Sequence, residues 1–194
     1  MSDTTGSTVL FDFDRPDDRD AWEAENDTVM GGHSRGRIER SESGLVFTGE
    51  LVTREGGFVQ IQATLPDGAL TGMESLRLVA SADGRPWRLR VSTDVRVPRA
   101  DLHGEGDEGE APIARSGVGM DGPRVAFAAP VQGLGQGEPA PATVSMADPE
   151  PSVRGRPVPG AAWDASLART IGLILTDGRD GPFRLEIRRI EVCR

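Results

Sequence analysis

The stretch NDTVMGGHSRGRIER, residues 26–40, decides how this chain is read. It gathers Asn26, Asp27, Thr28, Met30, Gly31, Gly32, His33 and Ser34 within nine positions. Three readings compete: a catalytic cluster, a phosphate cradle, or a turn that the fold requires. A nucleophile–base–acid set would be Ser34, His33 and Asp27. Such sets are assembled from separate elements rather than from neighbours in one turn. The string G-x-S-x-G occurs at residues 32–36 (GHSRG), but a nucleophile elbow turns from a strand into a helix, and RGRIERS does not pattern as one. The one other histidine, His103, lies in an acidic stretch. A phosphate cradle needs a glycine-rich turn that opens a helix, and RGRIERS does not pattern as a helix start. The turn reading needs less. Gly31 and Gly32 permit backbone angles closed to other residues, while Asp27 and Ser34 bond nearby amides. Met30 then either plugs the core or stands exposed as an apolar tip.

Outward from this stretch the pattern is that of short strands. VLFDFD alternates, with Val9, Phe11 and Phe13 on one face and Asp12 and Asp14 on the other. RPDDRDAW reads as a turn or one helical turn. RGRIERS and GLVFTGEL flank SESG as a hairpin. In FVQIQATL, Val59, Ile61 and Ala63 share a face opposite Gln60 and Gln62. ESLRLVAS and PWRLRVSTD read as strand–turn–strand around ADGRP, with Arg88, Arg90 and Ser92 alternating with Leu89, Val91 and Thr93. RVAFAAP, TVSMAD, IGLILTD and PFRLEIRRIEVC supply further strands, and AWDASLART a short helix. The 25 Gly and 14 Pro suit tight connections. No long amphipathic helix is expected. About ten strands predict an all-β fold, a two-sheet antiparallel β-sandwich in which paired terminal strands allow a jelly roll. Residues 1–7 are read as a disordered tail. Residues 8–194 are read as a single β-sandwich domain with a long acidic loop at 101–123.

Charge and composition exclude several classes. The formal charge is −9, all 22 basic residues are Arg, and Lys and Tyr are absent. An acidic chain argues against nucleic acid and against an anionic membrane surface. The single cysteine, Cys193, excludes an internal disulfide framework. No apolar run is long enough for an integral membrane segment. The acidic opening residues lack a signal-peptide core, which points to a cytoplasmic location. Asp12, Asp14, Asp17, Asp18 and Asp20, with Asp177 and Asp180 near the other end, read either as a Ca²⁺ set or as a solvated acidic turn. No metal site and no cofactor is assigned.

Several separated motifs carry a family resemblance. NDTVMGGHS, GLVFTGEL and EGGFVQI, followed by VRGRPV and IGLILTDGRDGPFRLEIRRI, resemble the complex I intermediate-associated protein 30 domain in the same order, from Val9 to Ile190. The resemblance implies a galactose-binding-domain-like sandwich related in fold to carbohydrate-binding modules. It also implies an assembly factor for respiratory complex I, as in eukaryotic members, with no catalytic residues to carry over. The motif and binding positions it marks are Asn26, Asp27, Met30, Gly31, Gly32, Ser34, Gly57, Phe58, Arg154 and Trp163. His33 stands where a small or aliphatic residue is usual, Trp87 where Tyr is common, and Arg189 where Trp is common.

Together these observations predict a non-enzymatic binding module. Its expected partner is a protein, such as an intermediate of a respiratory or other multi-subunit complex. The alternative is a carbohydrate-binding module, in which Trp22, Trp87 or Trp163 would stack on sugar faces.

Overall fold

The computed structural model describes residues 6–41, 44–97, 115–116 and 122–194. Two antiparallel sheets face each other. The first holds β1 (Ser7–Asp12), β3 (Arg35–Ser41), β4 (Gly44–Leu51), β6 (Ser75–Ala82), β10 (Ala140–Ser145) and β14 (Gly181–Cys193). Its order is β10–β6–β14–β4–β3, with β1 also on β14. The second holds β2 (Trp22–Asn26), β5 (Val59–Thr64), β7 (Arg88–Arg96), β8 (Arg115–Ser116), β9 (Arg124–Pro130), β11 (Glu150–Val153), β12 (Arg156–Pro157) and β13 (Ala168–Leu175). Its order is β12–β11–β9–β7–β13–β5–β2, with β8 on β7. This is the expected sandwich. Among the described residues, no helix is long and apolar enough to cross a membrane.

Period-two alternation builds the core. Leu89, Val91, Thr93 and Val95 of β7 and Ile171, Leu173 and Leu175 of β13 point between the sheets and are buried. Two aromatic groups close the ends. Phe11, Phe13 and Trp22 pack edge to face, with Trp22 5.3 Å from Phe11 and 5.5 Å from Phe13. Phe47, Trp87 and Phe183 form the other group, at centroid distances of 4.9–6.0 Å. Trp22 and Trp87 are therefore core residues, and neither offers a face to a sugar. Trp163 is half-buried, packed edge-on against Phe127 at 5.3 Å.

The structure alters two expectations and sharpens a third. Val9 does not share a face with Phe11: a bulge between them resets the register on β14, leaving Val9 50% exposed and Phe11 buried. ADGRP does join two strands, but β6 and β7 belong to different sheets, so the strand–turn–strand unit crosses the end of the sandwich, where Trp87 plugs it, rather than pairing with itself. The acidic residues do not gather at one place. Asp12 pairs with Arg189, eight residues along β14 from Gly181, about 26 Å at strand rise. Asp177 is held instead by Arg85, and Asp180 accepts from Thr53 N–H at 2.7 Å. Among the described residues, no three His, Cys, Asp or Glu side chains are grouped to hold a metal.

The shorter expectations fall as follows. Pro16–Asp20 is one helical turn opened by Pro16, and Asp18 Oδ2 accepts from Asp12 N–H at 2.8 Å. Ala165–Leu167 is a 3-10 turn capped by Asp164. Ser41 lies opposite Gly44 across the β3–β4 hairpin, whose two tip residues lie outside the described set. Ser7 already pairs with Cys193, and residues 1–5 lie outside the described set. So does nearly all of 101–123, apart from Arg115–Ser116 on β7 and residues 122–123.

Candidate functional site

The opening motif is tied around one carboxylate. Asp27 begins a 3-10 turn, Asp27–Met30, immediately after β2, and its side chain is fully buried. Ser34 N–H donates to Oδ1 at 2.8 Å. The Ser34 hydroxyl and Gly57 N–H donate to Oδ2 at 2.6 and 2.7 Å. Ser34 Oγ in turn accepts from Val52 N–H at 3.0 Å, and Asp27 N–H donates to Phe58 O at 3.2 Å. One side chain thus joins the end of β2, the start of β3, the end of β4 and the turn before β5. Burial pushes the Asp27 carboxyl up. Bonds from the Ser34 hydroxyl and from the Gly57, Ser34 and Phe58 amides outweigh it and hold the group below the usual carboxylate range.

The glycine pairs have two separate causes. Gly31 takes φ +89° to end the 3-10 turn, a left-handed conformation that a side chain resists. Gly32 has no such angle. It is glycine because a Cβ there would stand 2.3 Å from Asp27 Cγ. Gly56 is its counterpart on the other side, with a Cβ 2.6 Å from Asp27 Oδ2. The motif is therefore a packing device. His33 points away from the pair it would have to activate and meets Glu55 at 3.3 Å on the surface. Asn26 adds a two-bond bridge to Gly36, through N–H to Oδ1 at 2.9 Å and Nδ2 to O at 3.1 Å.

Beside this hub, the outward face of the second sheet floors a cleft of about 840 Å³. Strand register lines up Arg90, Ala128 and Glu150 in one row of the floor, and Glu25, Gln60, Ile174 and Arg88 in a second. One wall is the 3-10 tip and the following turn, with Val29, Met30, Glu55, Gly56 and Phe58. The opposite wall is the β11–β12 hairpin and its continuation, with Pro151, Arg154, Pro157 and Pro159. Arg154 and Gly155 turn that hairpin, both at positive φ, as the twist of a two-residue loop demands. Met30 is not a core plug: it is 64% exposed and Val29 68%. An apolar pair therefore stands at the rim.

The floor is polar and mostly paired. Glu25 Oε2 accepts from Gln60 Nε2 at 2.5 Å and Gln62 Nε2 at 3.1 Å. Arg88 Nη2 meets Glu150 at 2.9 Å and donates to Ala128 O at 3.2 Å. Arg90 is half-buried, and burial lowers its pKa against the opposing effect of Glu25.

Of the ten residues singled out from the sequence, Asp27, Met30, Phe58 and Arg154 line the cleft. Gly31, Gly32, Ser34 and Gly57 support its near wall through the hub, and Asn26 braces the start of β3. Trp163 lies off the cleft, against Phe127. Sequence reasoning misses the floor residues Glu25, Gln60, Arg88, Arg90 and Glu150. Their signal, polar residues alternating on β2, β5 and β7, is that of any solvated sheet face.

Two layered antiparallel sheets with a cleft on one outer face define a β-sandwich of the jelly-roll, galactose-binding-like type. Solved structures with this architecture include the family 11 carbohydrate-binding module of the cellulosomal cellulase Lic26A-Cel5E of Clostridium thermocellum. It matches with a TM-score of 0.61 at 11% identity, over 98% of this chain and 96% of that one. The module in complex with a β-1,3-1,4-mixed-linked tetrasaccharide matches with a TM-score of 0.55 at 13% identity, over 98% and 96%. At these identities the likeness concerns the fold alone. A search by sequence among curated proteins finds no match. The family model for complex I intermediate-associated protein 30 (CIA30) matches residues 11–187, and the chain belongs to that family.

Proposed function

We propose that this chain is a non-catalytic binding module, an assembly factor or chaperone that holds a polypeptide segment of a protein partner in the cleft of the second sheet. One observation carries the reading. Val9, Val29 and Met30 are the large hydrophobics exposed among the described residues, and two of the three stand together on the cleft rim. Apolar side chains held in water beside a cleft are what a partner's apolar side chains bury against. Family membership supports the same class of work. The buried Asp27–Ser34 pair serves the fold: its hydroxyl is engaged and no base faces it.

The test is capture of partners by the native protein, followed by mass spectrometry. Met30→Asp should lose the partners that wild type retains, while Val9→Asp on the far strand keeps them. Both variants should stay within about 0.5 kcal/mol of wild-type stability, as surface changes do. Equal capture by the Met30 variant would remove the proposal. Carbohydrate is the second reading, favoured by the architecture shared with the clostridial modules. Phe58 is the one aromatic among the cleft's lining residues, so a stacking platform is meagre. Calorimetric titration with the mixed-linked tetrasaccharide should give no binding heat. Saturable heat that Phe58→Ala abolishes would put this reading first.

A further inference from the structure

The cleft floor holds a cation that no hydrogen bond engages. Among the described residues, the Arg90 guanidinium makes no hydrogen bond and no ion pair within 4 Å; Glu25 acts on it through space, its Oε2 already taken by Gln60 and Gln62. Arg88, two residues along the same face, is by contrast already held by Glu150 and the Ala128 carbonyl. Arginine does not shed its proton to relieve burial, so the charge stays. Reduced solvation strengthens its pull on an anion, and the planar fork matches a carboxylate. All this occurs in a chain of net charge −9, so it is not part of a general basic surface.

We propose that Arg90 forms a carboxylate subsite for an Asp or Glu side chain of the polypeptide bound in the cleft. The inference rests on the binding-module reading and adds the chemistry of the occupant. Val29 and Met30 on one wall and Pro151 and Pro157 on the other frame the floor with apolar surface. The matching segment is thus an acidic residue flanked by apolar ones, a pattern that a neutral glycan does not offer.

The experiment uses the full chain and a synthetic set of acetylated, amidated nonapeptides with apolar flanks and a central Asp, Glu, Asn or Gln, read by fluorescence polarisation. Acidic peptides should bind at least tenfold tighter than their amide counterparts. Arg90→Gln should bring that ratio to about one without shifting Tm, and Arg90→Lys should restore part of it. The Nε–H NMR signal of Arg90 should move on adding the Asp peptide. Peptides that bind with no acidic preference, or a preference that survives Arg90→Gln, overturn the subsite and leave the binding-module reading standing. An Arg90→Gln variant that loses Asp and Asn peptides equally assigns Arg90 a structural role and also overturns it. No binding of any peptide removes the polypeptide reading itself. Glucuronate or inorganic phosphate moving that signal at lower concentration than the Asp peptide overturns the assignment to an acidic side chain.

Discussion

Replacing Asp27 by asparagine tests whether the motif is a structural hub. Both oxygens of Asp27 accept backbone N–H bonds, from Ser34 on Oδ1 and from Gly57 on Oδ2. An amide offers one oxygen. Whichever way the new side chain is flipped, its NH₂ faces one of those backbone donors inside a fully buried site. The Ser34 hydroxyl can rotate to accept, but a backbone N–H cannot. An orphaned buried donor costs about 1–3 kcal/mol, and a lost charge-assisted bond about 1.5–3 kcal/mol more. The sum is roughly 2.5–6 kcal/mol. For a chain of this length each kcal/mol moves Tm by about 2–4 °C, so the drop should be at least about 5 °C. Urea unfolding at pH 7 gives the free energy and a thermal scan gives the shift. Acid supplies the second arm. The folded pKa of Asp27 lies below its unfolded value of about 3.9, so its stabilisation is complete above that value and is lost as pH falls through the folded pKa. The gap between wild type and Asp27→Asn should be equal at pH 7 and pH 5 and narrow below about pH 4. A Tm drop under about 2 °C at pH 7, or a gap that widens in acid, would refute the hub.

Two further outcomes follow from packing. Gly32→Ala and Gly56→Ala each drive a methyl group into the Asp27 carboxylate and should cost about 1–3 kcal/mol by denaturant unfolding, whereas Gly135→Ala meets nothing within 4 Å and should be near neutral. Arg85 forks onto Asp177 at 2.9 and 2.6 Å and also bonds the Gly181 and Pro182 carbonyls, with both charged side chains largely buried. Arg85→Ala should therefore cost about 3–5 kcal/mol by leaving Asp177 alone, and removing both charges together should cost less than the sum of the single changes.

The strands are legible because each has one dry face. Val59, Ile61 and Ala63 against Gln60 and Gln62 allow one orientation only, and a one-residue slip would put glutamine in the core. The bulge at Val9 is not legible, because VLFDF alternates equally well with or without it; the register on β14 decides. The crossing at residues 83–87 is legible as a turn between two strands but not as a change of sheet, since turn chemistry is the same whether the next strand joins the same sheet or the facing one. The hub is half legible. Asp27 and Ser34 stand out as turn holders, but a glycine doublet signals only unusual angles, whereas Gly32 and Gly56 make room for a side chain from another position. For Gly56 that second cause is a contact across 29 residues, which no local pattern encodes. The cleft floor is hidden for a related reason. Arg88 and Arg90 look solvated until residues 27–30 and 150–159 rise on either side of them.

The family signature divides between two tasks that the hub connects. Asp27 opens the 3-10 turn that presents Val29 and Met30, and the same carboxylate fixes Gly57, one residue before Phe58. Four segments converge on this one buried group, so the near wall of the cleft is held in place. In the binding mode proposed above, such preorganisation lowers the entropy lost on binding and leaves more of the apolar contact as affinity. The far wall is built differently. The β11–β12 hairpin pairs Glu150–Ser152 with β9, ties Glu150 to Arg88, and sinks Val153 and the following Val158 into the core. Both walls of the cleft are thus fixed to the sandwich, the near one through a buried carboxylate and the far one through core valines.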